Sequence, residues 1–310
     1  MTLAVLLSAP ESTVARFKAP IARALREAGI AAELRTDHPA EKVDYIVYAP
    51  NDRLTDFSGF ARARAVLSLW AGVERIAGNP TLRLPLARMV DSGLREGMVE
   101  YVTGHVLRHH LGMDAQIRQR DARWQPVIPP LARQRRVAVL GLGALGGACA
   151  EALRGLNFQV SGWSRRQRRL AGVDCHAGPE ALARVLAGAE ILVLLLPATA
   201  ATENIVNRDT LARLPDGAVL INPGRGALID DAALLEALDN GRLAHATLDA
   251  FRTEPLPPDH PYWHHPKVTV TPHVASDTRP ETAARVIAEN IRRAETGQQM
   301  LYLVDRDAGY

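Results

Sequence analysis

Short apolar runs recur along the chain, each followed by a longer stretch of helix formers. In the first part the runs are 3–7, 32–34, 45–48, 66–69 and 86–90, with a helix expected over 14–28. Runs of three to five residues suit short strands of a buried sheet, and their alternation with helical segments predicts a parallel sheet covered by helices. A long run of helix formers over 95–123, broken only mildly by Gly104 and Gly112, is expected to bridge to a second unit. Gln125-Pro126-Val127-Ile128-Pro129-Pro130 then reads as an extended linker.

The pattern resumes with strands expected at 137–140, 159–163, 191–195, 218–221, 246–248 and 268–270, and helices at 148–156 and 231–238. That is a complete doubly wound domain. A final helix over 279–295 has no strand left to serve there, so it is expected to return to the first unit. At 310 residues with 47% hydrophobic positions, the chain is long enough for two cores.

The turn between the first two strands of the second unit is Gly141-Leu142-Gly143-Ala144-Leu145-Gly146. A G-x-G-x-x-G turn between a strand and a helix presents free backbone N–H groups and a positive dipole end to a pyrophosphate, so Gly141, Gly143, Ala144, Leu145 and Gly146 are candidate cofactor residues. At the end of the next strand stand Ser164, Arg165 and Arg166, where an NAD-binding chain carries an acidic residue. The expected cofactor is therefore NADP(H), although 34 of the 37 basic residues are Arg and arginines are common throughout.

Charge and cysteine content narrow the rest. The formal net charge of +3 arises from 37 basic and 34 acidic residues that are interspersed, which gives no support to nucleic-acid binding. Two cysteines without metal spacing, and an apolar opening that lacks a basic segment and stops at Ser8, point to reduced thiols in a cytoplasmic protein. His260, His264 and His265 have no carboxylate or Cys at ligand spacing, so no metal is expected. His109 and His110 are expected at the surface or at a subunit contact.

Three polar signatures follow strands of the second unit. Asn222-Pro223-Gly224-Arg225-Gly226 offers a guanidinium free for a bidentate grip on a carboxylate, Glu254-Pro255-Leu256-Pro257 a carboxylate in a stiff loop, and Thr271-Pro272-His273 an imidazole. Reduction of a 2-keto acid needs a cation to hold the carboxylate and polarise the carbonyl, an acid to protonate the oxygen, and an anion to keep that acid charged. Arg225, His273 and Glu254 fill those roles.

With these motifs, and with Ser68-Leu69-Trp70-Ala71-Gly72-Val73, Gly97-Met98-Val99-Glu100-Tyr101-Val102, Trp163-Ser164-Arg165 and Leu195-Leu196-Pro197, nearly the whole chain resembles the D-isomer-specific 2-hydroxyacid dehydrogenases, in their glyoxylate/hydroxypyruvate reductase A branch. The resemblance implies an α/β fold in which a Rossmann NADP domain (97–279, with the linking helix 97–123) is inserted in a flavodoxin-like substrate domain (1–96 and 280–310), with the active site in the cleft and a homodimer. It implies catalysis by Arg225 and His273 with Glu254 pairing the histidine, cofactor contacts from Leu196, Pro197 and Asp249, and a substrate loop at Trp70, Ala71, Gly72 and Val73. Trp70 stands where the branch usually has Gly, and Tyr48 is expected at the pocket rim where members often carry Trp. The expected activity is NADPH-dependent reduction of glyoxylate and hydroxypyruvate; a bulkier 2-keto acid, or a non-catalytic dinucleotide sensor of the same fold, are the alternatives.

Overall fold

The computed structural model describes residues 2–119, 122–306 and 309. It divides into two compact units, Met1–Leu94 with Asp277–Tyr310, and Arg95–Ser276.

In unit 1 the apolar runs form β1 (Leu3–Ser8), β2 (Ala32–Arg35), β3 (Tyr45–Tyr48), β4 (Ala65–Ser68) and the two-residue β5 (Leu86–Ala87), with helices α1 (Glu11–Glu27) and α2 (Glu74–Ala77) between them. The sheet is parallel in the order β2-β1-β3-β4-β5, the flavodoxin-like arrangement. Expectation had drawn the last strand out to residue 90; only Leu86 and Ala87 pair. The C-terminal helix, introduced last below, packs on α1. Its buried face is Ala283, Ala284, Ile287, Ala288 and Ile291, which meets Phe17, Ile21, Ala24 and Leu25. That spacing places one apolar stripe along a helix, and burying each Ile contributes roughly 1.5–3 kcal/mol.

Helix α3 (Ser92–His110) carries the chain from one unit into the other, and α4 (Met113–Arg118) follows. One continuous helix over 95–123 was expected, and the structure corrects this. Gly112 adopts φ +64°, a left-handed conformation that glycine accepts without steric cost and that ends a helix. Gln119 is already extended, and Arg120 and Asp121 of the expected helix lie outside the described residues. Residues 122–131 contain neither helix nor strand.

Unit 2 continues with β6 (Arg136–Leu140), α5 (Ala144–Gly155), β7 (Gln159–Ser164), β8 (Asp174–Ala177), α6 (Pro179–Gly188), β9 (Ile191–Leu194), α7 (Arg208–Leu211), β10 (Ala218–Asn222), α8 (Asp231–Asp239), β11 (Leu243–Leu248) and β12 (Val268–Val270); α9 (Pro280–Glu295) is the returning helix of unit 1. The seven strands are parallel in the order β12-β11-β10-β9-β6-β7-β8. Counted within the unit, that is the Rossmann order with a seventh strand added at the far edge. Edge strand β8 was not anticipated, because Asp174-Cys175-His176-Ala177 lacks the apolar run by which the others were recognised. No helix among the described residues is long and apolar enough to cross a membrane.

His109 and His110 are not surface residues within this unit. His110 is buried with its ring edge-on to Phe158, and His109 packs against His245 with ring centroids 5.0 Å apart. Hydroxyls accept or donate at each ring: Thr247 Oγ1 lies 3.0 Å from His109 Nε2, and Thr269 Oγ1 lies 2.8 Å from His245 Nε2. Burial, with Arg108 nearby, pushes His109 down to about 3 and His245 down to about 4, so both are neutral at physiological pH. A histidine whose folded value lies below its unfolded 6.5 contributes stability that is complete above pH 6.5 and is lost as pH falls towards the folded value. Unfolding midpoints measured in denaturant are therefore expected to fall between pH 6.5 and 4 with a slope of up to about 1.4 kcal/mol per pH unit for each histidine. His109→Gln should remove one such slope; an unchanged acid limb would show that His109 does not stay neutral in the fold.

Candidate active site

The dinucleotide turn leaves β6 at Leu140 and enters α5 at Ala144. Each glycine answers a different contact. Gly141 has φ +106°, and a Cβ there would stand 2.4 Å from the carbonyl oxygen of Leu195. At Gly146 a Cβ would be 1.8 Å from Gly141 O, so only glycine lets α5 begin this close to its strand. Gly143 is different: nothing lies within 4 Å of its Cβ direction, which leaves the backbone open on the side where the N-terminal N–H groups of α5 emerge. An open glycine face at the positive end of a helix fits a pyrophosphate. At the end of β7, the Ser164 hydroxyl donates to Arg166 O at 2.7 Å, tying back the turn that carries Arg165 and Arg166. Within 164–169 there are four arginines and no carboxylate.

The three polar signatures lie at the carboxyl ends of three neighbouring strands. In register, Asn222 of β10 pairs with Leu248 of β11, which pairs with Val270 of β12. Open α/β sheets bind ligands outside this end of the sheet. Asn222, fully buried, shapes the arginine loop: its Oδ1 accepts from Gly224 N at 3.1 Å and its Nδ2 donates to Arg225 O at 2.9 Å. The guanidinium expected to be free is engaged, with Nη1 donating to Gly224 O at 2.8 Å. Gly226 brings the arginine loop onto the next one, since a Cβ there would lie 2.1 Å from the carbonyl carbon of Phe251.

Glu254 is held at both oxygens. Phe251 N donates to Oε1 at 2.9 Å, and Oε2 lies 2.8 Å from His273 Nδ1. This leaves Nε2 as the nitrogen of His273 that has no protein partner among the described residues, and the side chain is 49% exposed. A carboxylate on Nδ1 and an outward Nε2 is the arrangement of an imidazole that holds and delivers a proton. His273 itself has φ +54°, a backbone conformation that costs a non-glycine residue about 1–2 kcal/mol and must be supported by its surroundings.

That support comes from Asp249, which is fully buried. Its Oδ1 accepts from Thr271 Oγ1 at 2.6 Å and Val274 N at 2.9 Å, its Oδ2 from Ala275 N at 2.9 Å, and its backbone carbonyl from His273 N at 2.9 Å. Asp249 was expected to face the nicotinamide end of the cofactor; what its carboxylate visibly does is clamp the histidine loop. Asn222 and Thr271 had been assigned no role, although a fully buried amide at a strand end is a signal of a shaped loop.

In unit 1 two expected substrate residues turn inward. Tyr48 is 6% exposed, its ring edge-on to Phe57 at 5.5 Å and its hydroxyl donating to Leu54 O at 3.4 Å, so the rim position is corrected to a core position. Its β-strand neighbours are buried on both faces, which leaves no outward direction for the ring. Trp70 sets its indole edge-on to Phe17 at 6.3 Å and packs on the core of that unit. Val73 is buried and accepts from Ile76 N and Ala77 N, starting α2; Ala71 and Gly72 are half-buried beside it.

Comparison with known proteins identifies the family. Residues 103–275 match the family model of the D-isomer specific 2-hydroxyacid dehydrogenase NAD binding domain. A glyoxylate/hydroxypyruvate reductase A of Serratia proteamaculans is 39% identical over 282 residues, 88% of this chain and 89% of that protein. The crystal structure of a D-isomer specific 2-hydroxyacid dehydrogenase of Xanthobacter autotrophicus Py2, in complex with NADPH and MES, matches with a TM-score of 0.91 and 39% identity over the full length of both chains. The NADPH-dependent glyoxylate/hydroxypyruvate reductase of Sinorhizobium meliloti, in complex with NADP and sulfate, matches with a TM-score of 0.83 and 32% identity over 100% of this chain and 99% of that one. With a matching family model over more than half its length and such relatives along nearly all of it, the chain belongs to the D-isomer-specific 2-hydroxyacid dehydrogenases, in the glyoxylate/hydroxypyruvate reductase A branch.

Proposed function

We propose that this chain is an NADPH-dependent reductase of small 2-keto acids, converting glyoxylate to glycolate and hydroxypyruvate to glycerate. The observation that carries this reading is the Glu254–His273 pair at 2.8 Å, with Nε2 left outward at the ligand-binding end of the sheet. A dinucleotide sensor has no use for that pair.

NADPH, when bound, supplies the hydride. The backbone N–H groups at Gly143, Ala144, Leu145 and Gly146 would hold its pyrophosphate and Ser164, Arg165 and Arg166 its 2′-phosphate, Asp249 would serve its nicotinamide end, and Leu196 and Pro197 would add further contacts. Arg225 holds the substrate carboxylate and draws electron density from the carbonyl. His273 delivers a proton from Nε2 to the carbonyl oxygen while Glu254 balances the charge on the ring. In unit 1, backbone N–H groups of Gly72 and Val73, in the loop with Trp70 and Ala71, serve the carboxylate of the substrate. The substrate-domain role thus falls to unit 1 and the NADP-domain role to unit 2.

A homodimer fits the surface of unit 2. Among the described residues, Met113, Ile117, Trp124, Val127, Ile128 and Leu131 account for six of the eleven large exposed hydrophobics, and Trp124 is 98% exposed. Such a concentration in one short stretch marks a surface that a second copy would cover. The two free thiols agree with a cytoplasmic location.

His273→Ala is expected to lower kcat on glyoxylate by about 10²–10⁴ while NADPH affinity stays nearly unchanged. Loss of NADPH absorbance in a stopped assay reads the first and fluorescence titration the second; a variant that keeps most of its turnover would remove the histidine from the reaction. The cofactor preference is checked separately. Charge-assisted bonds to the 2′-phosphate should favour NADPH over NADH by roughly ten- to a hundred-fold in kcat/KM, and Ser164→Asp should shift that ratio towards NADH. Equal efficiency with both cofactors would sink the 2′-phosphate assignment. For the dimer, light scattering should find two copies for the wild type and one for Trp124→Glu/Ile128→Glu; a monomeric wild type would end that reading.

A further inference from the structure

The segment Gly97-Met98-Val99-Glu100-Tyr101-Val102 lies on α3 and has so far been given no chemical role. Within unit 2, however, this helix presses on the segment that carries His273. A Cβ at Gly97 would stand 2.7 Å from Ser276 Oγ and 3.7 Å from its Cα, so the helix packs directly on the end of that segment. One turn later on the same helix face, Tyr101 OH is 2.7 Å from Thr271 Oγ1.

The direction of this bond follows from counting protons. Thr271 has a single hydroxyl proton, and it goes to Asp249 Oδ1 at 2.6 Å. Its oxygen must then accept from Tyr101, which is the donor. Burial, with Asp249 nearby and Arg108 opposing, raises the Tyr101 phenol well above its ordinary range, so the proton stays in place at any pH at which the enzyme works. The tyrosine ring is further fixed by His105, 4.4 Å away between centroids. Directed bonds therefore converge on a buried carboxylate, from the helix through Thr271 on one side of His273 and from Val274 N and Ala275 N on the other.

We propose that Tyr101, seated against the loop by Gly97, is a positioning residue for His273: its hydroxyl, acting through Thr271 and Asp249, holds the left-handed turn that aims the imidazole. The proposal rests on the reading of His273 as the proton donor. Its hydroxyl is spent on Thr271, so its loss is expected to act on the proton step and not on affinity.

The test is Tyr101→Phe, which removes one oxygen and keeps the ring, measured alone and in a His273→Ala background. Alone it is expected to lower kcat on glyoxylate roughly three- to ten-fold, the effect of one neutral hydrogen bond, with KM for glyoxylate, Kd for NADPH and Tm close to wild type. In the His273→Ala background the same change should do nothing further, because the group being aimed is gone. Thr271→Val cuts the chain one link further on and serves the same comparison if Tyr101→Phe proves unstable. An unchanged kcat, a loss seen in KM instead, or the same fold-loss with and without His273 overturns the proposal. A His273→Ala enzyme with full activity is a different result, which overturns the proposed reaction itself.

Discussion

The carboxylate of Asp249 is the interaction on which the geometry of the site depends. A buried acceptor left without donors costs about 1–3 kcal/mol, and that penalty holds in place the three donors that reach it, Thr271 Oγ1, Val274 N and Ala275 N. They bracket His273, whose backbone is left-handed and would relax elsewhere if the bracket opened. The chain meets this constraint at a strand end. Asp249 directly follows β11, and its own N–H donates to Asn222 O at 3.0 Å, which couples the histidine loop to the strand that leads into Arg225.

Placement of the chemistry then follows from sheet topology. Strands β10, β11 and β12 are neighbours in register, so the segments that leave them emerge side by side although Asn222 and Val270 are far apart in sequence. The glycines work in the same sense at the other strands. Gly146 sets α5 against β6, and Gly226 sets the arginine loop against Phe251, in each case by a backbone approach that a methyl group would prevent. Conformation, not contact area, is what these positions supply.

Much of this was legible along the chain. The apolar runs reported the strands because a parallel sheet buried on both faces needs continuous apolar residues, and G-x-G-x-x-G between strand and helix reported the cofactor turn. The pairing of Glu254 with His273, 2.8 Å apart, was legible because a proton-donating imidazole calls for a partner carboxylate. What escaped was of two kinds. Edge strand β8 and the break at Gly112 escaped because neither shows in hydrophobic periodicity: an edge strand needs no apolar run, and a left-handed φ leaves no pattern beyond a glycine. The burial of Tyr48 and His109 and the hydrogen-bond partners of Asp249 were missed because they come from distant segments. Thr247 and His245 meet His109 from more than a hundred residues away, and the donors to Asp249 lie 22 to 26 residues further on. Residue type announces that a polar group needs partners; it does not say which.

Glu254 illustrates how such partners convert a modest ion pair into a directed one. An exposed carboxylate–imidazole pair in water is worth little, and its side chains would sample many rotamers. Here one carboxylate oxygen is fixed by Phe251 N at 2.9 Å, and Phe251 is itself pressed against Gly226, so the other oxygen has a single place to point. His273 is fixed from its own side by the Asp249 bracket. The 2.8 Å contact between them therefore joins two loops that are each already anchored to the sheet, and little entropy remains to be lost when a proton or a substrate arrives. Preorganisation of this kind fixes how a half-exposed histidine is oriented, because that orientation no longer depends on the strength of the ion pair alone.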